Sequence, residues 1–144
     1  MDTIERSSGA AARAAARPQR RRRLAAVGTA VALATATWVL IEPVAGVDLR
    51  APGQGSPGFD IGLVAVILTA AGAALLGWGL LAAMERWTRR PRAWTWVALG
   101  GFLASLTGPM SGTGIPGSHR WLLALLHLVV AASLIPLMRR TIDG

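Results

Sequence analysis

The sequence predicts an all-α, integral membrane four-helix bundle with both termini in the cytoplasm and a flexible basic N-terminal tail. Three observations carry this expectation. Of the 144 residues, 53% are hydrophobic and only 15% charged, against about a quarter charged in an ordinary soluble domain. Four long apolar runs contain no Asp, Glu, Lys or Arg. All 15 cationic residues are arginine, and 13 of them lie before, between or after these runs in positions that an even number of crossings would put on one side. Such a composition argues against a water-soluble enzyme, and the absence of cysteine removes disulfides, thiolate metal sites, iron–sulfur clusters and thiol redox chemistry.

Residues 1–23 contain Ser7, Ser8, Gly9, Pro18 and many alanines but nothing that would build a core, so they are expected to form a disordered cytoplasmic tail. Within it, Ala10–Arg17 would turn helical at a surface, with Arg13 and Arg17 on one face. Arg20, Arg21, Arg22 and Arg23 are expected to meet anionic lipid headgroups at ~1 kcal/mol each. A plainer role, as a topogenic stop, needs only their charge. Nucleic acid is not an expected partner, because the tail has no aromatic side chain to stack a base.

The bundle is expected over 24–140, with spans at Leu24–Ile41, Ile61–Met84, Ala93–Met110 and Trp121–Met138, of 18, 24, 18 and 18 residues. These lengths match the roughly 20 residues that cross a ~30 Å hydrocarbon core. Barrel strands would alternate polar and apolar residues over about 10 positions, and these runs do not. Arg22-Arg23 before an apolar run, with Ala34-Thr35-Ala36 as a cleavage-like site, also has the look of a signal peptide. Apolar character continues to Ile41, which fits a retained anchor better.

Orientation follows from the arginines. With the N-terminus inside, the tail, the turn near 85–92 and the C-terminus carry 13, and only Arg50 and Arg120 are outside. Trp87, Trp94 and Trp96 are expected at the inner boundary and Trp121 at the outer one. The all-arginine, alanine-rich coding bias points to a bacterial source, and hence to the inner (plasma) membrane.

Small residues recur every four positions at Gly28, Ala32 and Ala36, at Ala65, Thr69, Ala73 and Gly77, and at Gly100, Ala104 and Gly108. This spacing lets helix backbones approach closely, within one copy or between copies. Pro109 is expected to end or kink the third span near its outer end. The glycines of residues 111–119 are not a phosphate cradle, since no lysine follows and no strand precedes them.

Polar groups within the spans are few. His127 lies six residues into the fourth, ~9 Å below the boundary, with Ser105 and Thr107 at similar depth on the third and Glu42 just above the first. An ionisable residue inside a membrane is a functional hypothesis by default, so Ser105, Thr107, His127 and Glu42 form the candidate ligand site, opening to the outer leaflet. The plain alternative is a neutral imidazole bonded to a hydroxyl or a backbone carbonyl. No catalytic set is recognisable. His119 and His127 are too few for a zinc site, and no cofactor is expected.

Trp38 late in the first span, the arginine-rich turn after the second, the stretch Ser105-Leu-Thr-Gly-Pro109 and the stretch Leu126-His-Leu-Val-Val-Ala-Ala132 resemble the small four-helix membrane proteins known as domain of unknown function 6069. The resemblance covers about residues 20–140. It implies fold and membrane location and assigns no activity. Ser105, Pro109 and His127 carry its motifs here.

Three classes of function follow. The first is a non-enzymatic protein that binds a lipid, a hydrophobic ligand or a membrane partner, whether a second copy or another protein. A transporter is the alternative, although an ion-coupled one normally has a carboxylate within its spans and none lies here. A membrane enzyme using His127 with Glu42 comes third.

Overall fold

The computed structural model describes the backbone apart from residues 1, 52–58, 89, 112–115 and 144, and side chains from Pro18 onward except those segments and positions 59 and 143. In chain order the elements are α1 (Asp2–Val39), a π-helical turn (Leu40–Val44), strands β1 (Arg50–Ala51) and β2 (Phe59–Asp60), α2 (Leu63–Trp87), a 3-10 turn (Pro91–Ala93), α3 (Trp94–Ser105), α4 (Thr107–Ser111) and α5 (Gly117–Asp143). Pro18–Val44, Leu63–Trp87 and Gly117–Ile142 are long and apolar enough to cross a membrane.

The third expected span departs from this. Its helix stops after 12 residues, at Ser105, and resumes as the five-residue α4. Pro109 supplies the reason: it has no N–H to give the Ser105 carbonyl four residues back, and its ring crowds that carbonyl. Leu106 closes α3 by donating its N–H to the carbonyls of Phe102 and Leu103. A second departure is the antiparallel pairing of β1 with β2, Arg50 opposite Asp60, inside the loop 42–60. Their side chains form an ion pair at 3.1 Å. Helical backbone also begins at Asp2, so residues expected as a disordered arm continue α1; alanine and arginine are among the better helix formers.

α1 lies against α2 and α5, while α3 and α4 pack on α5. Ala26, Ala30 and Ala34 form the buried stripe of α1, each at most 2% exposed. They leave room for Ala74, Leu81, Leu134 and Met138 on one level and for Val66 and Ala70 on the next. The expected stripe of Gly28, Ala32 and Ala36 is exposed instead. Every-fourth spacing exists in more than one register on so alanine-rich a helix, and the buried register is the one continued by Arg23, Trp38 and Ile41 at its ends.

Trp94 is also corrected. It is fully buried beneath Leu81 and Met138 rather than set in the interface, whereas Trp87, Trp96 and Trp121 are exposed. Its indole Nε1 donates to the Gly77 carbonyl at 2.9 Å and ties α3 to α2. Trp38 does the same at the other end of the bundle, donating to the Ile61 carbonyl at 2.9 Å. There the loop after α1 folds back and buries Leu49 against Ile41, Leu123 and Leu126, and Gly46 makes the reversal with a φ of +69°.

Polar contacts define the opposite end. Arg23 on α1 forms a two-pronged ion pair with Glu85 on α2, one arm at 3.0 Å. Its Nε donates to Thr141 Oγ1 on α5 at 3.2 Å, and Gln19 donates to the Thr141 carbonyl. The start of the apolar part of α1, the end of α2 and the end of α5 therefore share one end. Since Leu123 lies at the other, α3 and α4 carry the chain back along the bundle.

A cleft between the second, third and fifth helices

α2 is held by α1, and α3 by α5, but α2 and α3 make few contacts with each other. The space between them is a cleft of about 680 Å³, floored by α5. Small side chains open it: Ala65, Ala73 and Gly77 on α2, Ala98 and Gly101 on α3, and Ala131 on α5. Ala65, Thr69 and Ala73 of α2, expected to seat a neighbouring helix, thus face the cleft, with the buried Val66 and Ala70 beside them at its margin. A methyl group added at Gly77 would sit at ordinary contact distance, 3.4 Å from Leu134 and 3.8 Å from the Trp94 ring, at one end of the cleft. Leu80 and Trp94 bound that end, and Ala51 and Ile61 the other.

Of the four candidate ligand residues, the structure brings Ser105 and His127 together on this cleft. His127 Nδ1 lies 2.8 Å from the Leu123 carbonyl oxygen. A carbonyl only accepts, so Nδ1 carries the hydrogen and Nε2 of the neutral ring is an acceptor. Ser105 Oγ donates to the Phe102 carbonyl at 2.7 Å, an oxygen that also accepts the Leu106 N–H. The two do not bond to each other; each is anchored to its own helix.

Thr107 and Glu42 are not part of the cleft lining. Thr107 Oγ1 donates to the Ala104 carbonyl at 2.7 Å beyond the helix break, which turns it out of line with Ser105. Glu42 lies in the π-helical turn, where its carboxylate oxygen Oε2 is buried without a partner among the described residues. The expected His127–Glu42 acid/base pair is therefore not formed. Thr69, not singled out as a ligand residue, is the third polar lining group, and its Oγ1 donates to the Ala65 carbonyl at 2.7 Å.

The arginine set needs one correction. Arg20, Arg21 and Arg22 are exposed, but the side chain of Arg23 is only 7% exposed and is engaged by Glu85 and Thr141. Its signal in the sequence was Glu85 itself, a lone carboxylate at the end of a span facing a surplus of arginine. Among the described residues no group of three or more His, Cys, Asp or Glu is placed to hold a metal ion.

A helical bundle with membrane-spanning lengths and an apolar cleft opening between two of its helices is the class that fold and site define. The chain belongs to a family of unknown function, DUF6069, whose model matches residues 14–144. That match begins at Ala14, inside the arginine-rich segment that the motif resemblance left out. No curated protein and no solved structure matches the chain.

Proposed function

We propose that this protein is a four-span protein of a bacterial plasma membrane, its arginine-rich end in the cytoplasm, which takes a hydrophobic ligand from the bilayer into the cleft between α2, α3 and α5. The cleft carries this reading. Its volume falls in the range of small-molecule sites, and its lining of apolar groups with a few fixed polar ones is what such sites present. A gap between two helices of a membrane bundle opens sideways to lipid, so a ligand need not cross water to enter. No acid/base pair or metal set accompanies the cleft among the described residues, which favours binding over catalysis.

Filling the cleft tests this. Ala131→Leu and Ala73→Leu each add a branched side chain to the lining. After gentle extraction, mass spectrometry of wild type should find a copurifying hydrophobic compound that both variants lack while keeping wild-type thermal stability. Retention of the same compounds by two folded variants would refute the proposal.

A further inference from the structure

The polar groups of the cleft share one chemical property. Ser105 and Thr69 each commit their hydroxyl hydrogen to a backbone carbonyl, leaving lone pairs on oxygen. His127 commits Nδ1–H to Leu123 and leaves Nε2, again a lone pair. The Trp94 indole N–H, the remaining side-chain donor in the lining, is taken by the Gly77 carbonyl. Among the described residues, the side chains of the cleft therefore accept hydrogen bonds and offer none.

Shape narrows the ligand further. The lining runs along α2 from Ala65 to Leu80, about 22 Å at ~1.5 Å per residue, so 680 Å³ is spread along a slot rather than gathered in a round pocket. An extended hydrocarbon chain fits a slot of this length. The acceptors are not spread along it evenly: Ser105 lies 11 residues from Trp94 on α3, about 16 Å toward the end bounded by Ile61.

Building on the cleft reading above, we infer that the ligand is a single-chain lipid with a neutral hydrogen-bond-donating head, a long-chain or isoprenoid alcohol. The hydroxyl lies between Ser105 and His127, its one hydrogen shared between the lone pairs of Ser105 Oγ and His127 Nε2, and the tail runs toward Trp94. A carboxylate, phosphate or sulfate head would bring its negative charge to lone pairs with no donor to receive it, in a medium where unpaired polar groups are costly. An ether or ester head would leave Nε2 unpartnered.

The test compares two neutral probes that differ by the donor alone, hexadecanol and its methyl ether, titrated into the full chain in detergent and read by native mass spectrometry. Wild type should hold the alcohol about fivefold more tightly, the effect of one neutral hydrogen bond. His127→Phe keeps the ring and removes the acceptor, so it should bring the ratio close to one while still binding the ether. Ser105→Ala provides a second variant with an intact fifth helix and should lower the ratio in the same direction. Equal binding of both probes to wild type, or a ratio unchanged in both variants, overturns the donor rule and leaves the cleft reading standing. If neither probe binds wild type, both readings fall.

Discussion

Arg23 joins three helices through one guanidinium. Its planar fork matches a carboxylate with two parallel bonds, and Glu85 and Thr141 use three of its donors. Removing one partner of a buried pair leaves the other desolvated without compensation, which costs up to about 3–5 kcal/mol when both are fully buried. Glu85 is 30% exposed, so Glu85→Ala is expected to cost about 3 kcal/mol, the low end of that range, seen as a lowered midpoint of thermal unfolding in detergent. Replacing both residues by Met and Leu should recover most of that loss, since an apolar pair needs no partner. Arg22→Gln, at an exposed position one residue away, should leave the midpoint unchanged. An Arg22 variant as unstable as the Glu85 variant would show that charge at this end, and not the pairing, supports the fold.

At the scale of elements, run length and the absence of charge were enough to expect helices in every span, and Pro109 announced the disturbance in the third. What run length does not contain is register. On α1 the chosen stripe, Gly28–Ala32–Ala36, was one of several with the same spacing, and the choice was made by larger neighbours such as Trp38 and Ile41, whose packing partners come from other helices. On α2 the chosen stripe was real but faced a cleft, because small residues permit either a close helix or an opening. Ser105 and His127 were legible as polar intruders at matching depth. Thr107 was not excluded, since its displacement depends on where the helix breaks, and Thr69 was classed with the small residues. The break itself is testable. In Pro109→Ala the new amide at position 109 should bond to the Ser105 carbonyl and become protected in hydrogen exchange, joining α3 to α4. Rapid exchange at that amide would mean that Gly108 or the packing of α4 on α5, rather than the proline, divides the two helices.

The whole molecule is a chain that travels its length four times and returns to the end where it started. Gln19 and Arg23 touching Thr141 requires the return, and α3 with α4 packed on α5 supplies the third traverse, whatever the membrane. The proposed orientation adds the rule that arginine-rich segments stay in the cytoplasm. Reporter fusions after residues 54, 89, 115 and 144 should read outside, inside, outside and inside. A cytoplasmic reading at 54 together with an external one at 89 would invert the molecule without altering its fold, whereas two adjacent fusions reading alike would remove a crossing. The cleft lies wholly within this bundle, so inversion would change which leaflet its Ser105–His127 end faces but not its chemistry.

The contact between Arg23 and its partners also has a history in time. Glu85 follows Arg23 by 62 residues and Thr141 by 118. At a synthesis rate of about 5–20 residues per second, the guanidinium waits roughly 3–12 seconds for its carboxylate and about twice as long for the threonine. In that interval neither protein partner exists, and under the proposed orientation water and headgroups are what an arginine at the end of a span can reach. Only when the second helix has returned can that end sink into the protein. The Arg23 cluster is thus completed in the order in which the ribosome delivers its parts, Glu85 first and Thr141 last.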